Sequence, residues 1–80
     1  MTEAEIYDSL NALFRELFDD DGIVLKAETT AHDIRAWDSF NHLNIIVAVE
    51  SRFGFRMQTR EIEALASIGD MVRLILARTG

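Results

Sequence analysis

The sequence predicts an all-α fold: a long helix, a long loop, a central helix, a short helix and a last helix. Three observations point there. Apolar residues recur at helical spacing in separate stretches, and capping-box patterns stand at Thr2-Glu3-Ala4-Glu5 and Ser67-Ile68-Gly69-Asp70. The 80 residues also contain no cysteine. That removes disulfides, thiolate metal sites and a cysteine nucleophile, and leaves helix packing to hold a small chain together. No internal repeat or low-complexity segment divides it, so a single domain over residues 1–80 is expected.

In the first capping box the Thr2 hydroxyl and the Glu5 carboxylate each satisfy a free backbone N–H at a helix start. Ile6, Leu10, Leu13, Phe14 and Leu17 follow at helical spacing, with Glu3, Asp8, Asn11, Arg15 and Glu16 on the other faces. An amphipathic helix is therefore predicted over Thr2 to Leu17, ended by Asp19-Asp20-Asp21-Gly22. Phe18 to Trp37 has no sustained helical period. Ile23-Val24-Leu25 is apolar but short, and Thr29, Thr30 and Asp33 favour turns and caps, which predicts a loop with one helical turn near Ile34. A loop this long in a small domain tends to be functional or well packed, and its apolar residues are expected to lie over the bundle.

Asp38 or Ser39 can cap the central helix, in which Phe40, Leu43, Ile46, Val47 and Phe53 recur at helical spacing while Ile45, Ala48 and Val49 widen the apolar surface. Arg52 suits the carbonyl end, and Gly54 supplies a C-cap. Thr59 can cap a short helix through Leu65 that turns Ile62 and Leu65 inward. Ser67 opens the last helix, with Ile68, Met71, Val72, Ile75 and Leu76 on its buried side.

Composition narrows the functional classes. With 49% hydrophobic residues and a mean hydropathy of +0.05 the chain is not disordered, and no apolar run is long enough to span a bilayer. The acidic start Met1-Thr2-Glu3-Ala4-Glu5 lacks the basic flank and apolar core of a secretory signal, which predicts a cytoplasmic protein. A net charge of -6 and a pI near 4.7 argue against nucleic acid as a partner. The acidity is uneven: residues 1–40 carry ten acids against three bases, and residues 41–80 four against five.

Asp19, Asp21 and Glu28 fit part of an EF-hand loop, but Leu17 stands where the first carboxylate ligand is required, so a solvated helix end is the better reading. Ser39, His42 and Asp38 invite a hydrolase reading. Ser39 and His42 can approach at i and i+3, yet Asp38 projects to another face, and no G-x-S-x-G elbow is present. His42 reads instead as a boundary residue with an ordinary hydrogen bond, and two histidines do not make a zinc site. There remains Ser39 at the head of the most apolar helix, where it could be a plain cap. The positive field of a helix N-terminus would tolerate a phosphate ester there, but on local facts alone the plain cap is the better reading.

Asp38-Ser39-Phe40, with Asn41 through Gly54 behind it, resembles the attachment segment of acyl carrier proteins, whose motif is Asp-Ser-Leu at the head of the second helix. The resemblance covers nearly the whole chain, in helix order, size and the Ser67-Ile68-Gly69-Asp70 start of the last helix. It implies a four-helix bundle with a long loop between helices I and II, without catalytic residues or metal of its own. A phosphopantetheinyl transferase would move phosphopantetheine from coenzyme A onto Ser39, and Asp38 would help that enzyme recognise the site. The arm's thiol would carry acyl, aminoacyl or polyketide intermediates as thioesters between partner enzymes such as ligases, synthases and acyltransferases. A monomer is implied.

Departures from the family pattern bear on the partners. Phe40 replaces the usual leucine. Asn41, Asn44 and Ser51 stand where carriers of ordinary fatty acid biosynthesis place acids, and Arg52 adds a positive charge. The pattern looks more like stand-alone carriers of polyketide, peptide or sugar-modifying pathways. The stripe Phe40, Leu43 and Val47, with Asn44 and Glu50 alongside, is the expected partner surface; the alternative for Leu43 and Val47 is plain core. Ile46, Phe53, Ile62, Leu65 and Met71 are candidates for a cleft accepting an acyl chain. The alternative function is a small helical protein-binding module without a prosthetic group.

Overall fold

Thr2 opens the first helix as its neighbours dictate. In the computed structural model its Oγ1 accepts the Glu5 N–H at 3.2 Å while its own N–H donates to Glu5 Oε1 at 2.7 Å. The structure describes residues 1–34 and 37–79, Ser39 by its backbone alone. Its elements are α1 (Glu3–Phe18), a 3₁₀ turn (Ala31–Asp33), α2 (Ser39–Phe53), α3 (Thr59–Glu63) and α4 (Ile68–Thr79), which is the expected all-helical order. Arg35, one of the three bases of residues 1–40, lies outside the described residues.

Helix α1 packs against both α2 and α4. The core they enclose is built from Ile6, Leu10, Leu13 and Phe14 of α1, Ile45, Ile46 and Val49 of α2, and Ile68, Met71, Val72 and Ile75 of α4. Leu17 departs from expectation. It lies exposed beside a groove lined by residues of α1 and α2, two residues before Asp19 ends the helix in a left-handed conformation at φ 51°.

The long loop is held by hydrogen bonds as well as by burial of Ile23, Leu25 and Trp37. Arg15 Nε donates to the Ile23 carbonyl at 2.7 Å, and Asn11 Oδ1 accepts the Leu25 N–H at 2.8 Å. On the other side the start of α4 donates into the loop, Ile68 N–H to the Thr29 carbonyl at 2.8 Å and Gly69 N–H to the Ala27 carbonyl at 2.9 Å. The approach needs glycine: a Cβ on Gly69 would lie 2.9 Å from the Ala27 carbonyl oxygen. Ile23, Leu25 and Trp37 do pack over the bundle, with Ile34 against its core, while Val24 is exposed.

Two helix ends differ from their sequence reading. Gln58, not Thr59, is the N-cap of α3, and the helix stops at Glu63 rather than Leu65. Glu61 reaches back to accept the Gln58 N–H at 2.8 Å, which moves the cap one residue earlier. At α4 the Asp70 N–H donates to Ser67 Oγ at 3.3 Å, while the Asp70 carboxylate accepts from Ala66 at 3.1 Å. Backbone donation from Ala66, followed by the Arg73 cation, holds the Asp70 carboxyl below its usual range.

Candidate functional site at the head of the central helix

The loop enters α2 through an aromatic joint. Trp37 is buried, with its ring edge-on to Phe14 at 5.4 Å between centroids, and Phe14 meets Phe18 in the same way at 5.8 Å. The Trp37 indole N–H donates to His42 Nδ1 at 3.1 Å, and the two rings lie nearly parallel, 15° apart. Asp38 is the N-cap: its Oδ1 accepts the Asn41 N–H at 2.9 Å and its carbonyl accepts the His42 N–H at 2.9 Å. Ser39 is thereby fixed as the first residue of α2, between Trp37 anchored in the core and the first turn of the helix. The Ser39 side chain lies outside the described residues.

This geometry disposes of the hydrolase reading. A triad needs its imidazole to donate from one nitrogen to an orienting acid, whereas His42 Nδ1 accepts from an indole and Asp38 is committed to a backbone amide. The acidic cluster is likewise occupied with local structure. Asp19 caps α1, and Asp20 Oδ1 accepts the Gly22 N–H at 2.9 Å. Among the described residues no group of three or more His, Asp or Glu side chains could hold a metal ion.

Below Ser39 the outer face of α2 is apolar. Phe40 is 81% exposed, Leu43 64% and Val47 63%, because Ile45, Ile46 and Val49 take the opposite face into the core. Asn44 is exposed beside them, with its amide donating to Asn41 Oδ1 at 3.4 Å. Glu50 behaves differently. Its half-buried carboxylate accepts the Met57 N–H at 2.7 Å, and its carbonyl accepts from Gly54 at 2.9 Å and Phe55 at 3.3 Å, so the residue closes the end of the helix. Gly54 there adopts φ 73°, the left-handed region that favours glycine.

Beside the Ser39 position a cleft of about 540 Å³ is lined by Ala31, His32, Trp37, Asp38, His42 and Leu43. Of the residues expected to receive an acyl chain, Ile46 and Met71 are buried in the core, while Phe53, Ile62 and Leu65 pack half-buried against it. A smaller cleft of about 240 Å³ between α3 and α4 takes in Leu65.

No family model matches the chain. An acyl carrier protein of Clostridium acetobutylicum is 27% identical over 74 residues, which span 92% of this chain and 96% of that one. The solution NMR structure of the holo acyl carrier protein from Geobacter metallireducens superposes with a TM-score of 0.83 at 44% identity, covering 90% of this chain and 86% of that one. The chain belongs to the acyl carrier protein family. As an acyl carrier protein it is a carrier of acyl intermediates and not an enzyme, and its helical bundle is the one its sequence resemblance implied. Among the described residues, no helix of this carrier is long and apolar enough to cross a membrane.

Sequence reasoning missed two features of the site. One is the commitment of Glu50 to Met57, a contact across a loop that no spacing rule marks. The other is the pairing of Trp37 with His42. A donor-only indole five residues from an imidazole was the available signal, but only a turn between them makes it a bond.

Proposed function

We propose that Ser39 carries phosphopantetheine, placed there from coenzyme A by a phosphopantetheinyl transferase, and that the single domain over residues 1–80 works as a cytoplasmic monomer. Ser39 Oγ forms the new bond to phosphorus, the bond to the nucleotide breaks, and the serine proton passes to a base of the transferase. The group supplies a thiol on a flexible arm, on which acyl groups ride as thioesters. The residues present suit such a substituent. Asp38 and Phe40 on either side are exposed, so a bulky chain leaves toward solvent, and the N-terminal end of α2 presents the positive end of its dipole to a phosphate.

Asp38 presents the site to the transferase in this reading, and Phe40, Leu43, Asn44 and Val47 form the docking surface for acyl-loading and acyl-using enzymes. Glu50, although within that stripe, serves chiefly to close α2. The observation that carries the reading is the serine at the first position of a helix whose outward face is a continuous apolar stripe. That face holds amides where a basic partner would seek carboxylates, which favours partners of a specialised pathway over those of ordinary fatty acid biosynthesis.

Intact mass after incubation with coenzyme A and a broad-specificity transferase tests this. A gain of one phosphopantetheinyl unit that disappears in Ser39→Ala is expected. No gain in the wild type, or a gain that survives the substitution, would leave the exposed stripe as the surface of a binding module without a prosthetic group.

A further inference from the structure

His42 lies three residues after Ser39 on α2, and side chains at i and i+3 share a helix face. Its ring is held on one side only. An indole N–H is a donor and never an acceptor, so the 3.1 Å contact from Trp37 fixes Nδ1 as the bare nitrogen and puts the proton on Nε2. Trp37 is itself immobilised, buried and edge-on to Phe14, so the imidazole plane is set by the core through a stacked neighbour. Among the described residues Nε2 has no hydrogen-bond partner. Two other polar side chains line the same cleft, His32 and Asp38, and Asp38 Oδ1 already accepts the Asn41 N–H.

We propose that His42 anchors the root of the prosthetic arm, its Nε2–H donating to an oxygen of the phosphodiester on Ser39 while Trp37 holds Nδ1. The proposal rests on the carrier reading of Ser39. A phosphodiester is anionic at neutral pH and its oxygens are strong acceptors, so a neutral donor of fixed direction beside it restrains the first atoms of the arm and leaves the thiol end free. Trp37 acts here as a positioning residue, through the tautomer and plane of His42.

The experiment uses the full chain in apo form and after modification with coenzyme A and a transferase. Nitrogen-15 spectra of the wild-type apo chain should show His42 protonated at Nε2 and bare at Nδ1, and the Nε2 signal should move on modification. The phosphorus-31 resonance of the modified wild type should differ from that of modified His42→Ala. His42→Gln, whose amide places a donor near Nε2, should restore most of the difference, and Trp37→Phe, which keeps the ring against Phe14 but removes the N–H, should lose part of it. Identical phosphorus resonances in wild type and His42→Ala, or a wild-type His42 protonated at Nδ1, would overturn the anchor while leaving the carrier reading intact. Intact mass separates the two ideas: no modification of Ser39 overturns both.

Discussion

Replacing Glu50 by alanine removes the side-chain acceptor of the Met57 N–H, in a part-buried loop just beyond α2. A hydrogen bond to a charged group contributes about 1.5–3 kcal/mol, most of it felt as the unsatisfied donor left behind. Two effects oppose the loss. Alanine gains about 0.3 kcal/mol of helix propensity, and removing a negative charge from the carbonyl end of a helix gains about 0.3–1 kcal/mol. The net destabilisation is about 1–2 kcal/mol, a fall in Tm of roughly 5–15 °C for a chain of this size. Glu50→Gln keeps an acceptor for Met57 and sheds the unfavourable charge, so it should stay within about 0.5 kcal/mol of the wild type. Thermal and urea unfolding at neutral pH measure both, with an unchanged urea slope confirming that the unfolded states are alike. If Glu50→Ala proved as stable as the wild type, the carboxylate would be free in solution, and its place in the docking stripe would have to be restored.

Gly69→Ala should cost about 1–3 kcal/mol despite alanine's better helix propensity, because its Cβ meets backbone at Ala27 rather than a flexible side chain; an unchanged or raised Tm would refute the close loop contact. Acid should destabilise the fold. Glu5, Glu61 and Asp70 are each held below their usual range, first by backbone N–H groups and, for Glu61 and Asp70, also by Arg78 and Arg73. Their contribution is complete above the unfolded carboxylate range and is lost as pH falls through the lowered folded values, so Tm should drop on acidification and Asp70→Asn with Glu61→Gln should flatten that drop. Val47→Glu, at a site 63% exposed, should leave stability within about 0.5 kcal/mol while lowering the rate of acyl transfer to or from a partner enzyme. A large fall in Tm would instead assign Val47 to the core.

What the residues foretold and what they hid divides along physical lines. The starts of α1 and α2 were legible because local chemistry decides them: the Thr2 and Glu5 pair, and an Asp38-Ser39 boundary that geometry settles in favour of Asp38 as cap. The same rule placed the α3 cap one residue late, since Gln58 is a weak cap by propensity and gains the role only through the carboxylate of Glu61. The loop was legible as a loop, but its fastening through Asn11, Arg15 and the first amides of α4 depends on segments brought together by the fold. Apolarity all around α2 left the placement of Leu43 and Val47 open, and the packing of Ile45, Ile46 and Val49 decided it. At the site, position and residue type alone fit a plain cap at Ser39, and it was the resemblance of the surrounding segment to the carrier motif that singled the residue out. Nothing in spacing alone distinguished Glu50, which is tied to the loop, from Asn44, which faces solvent.

The chain has a single tryptophan, and it sits at the joint that delivers Ser39 to the helix. Intrinsic fluorescence excited at the indole therefore reports from one place, between Phe14 on the core side and His42 on the cleft side. A label is unnecessary. On the proposed carrier reading, loading of Ser39, seating of an enzyme on the adjoining helix, or loosening of the loop would each change the surroundings of that one chromophore, and stopped-flow emission would time such events in the unmodified sequence.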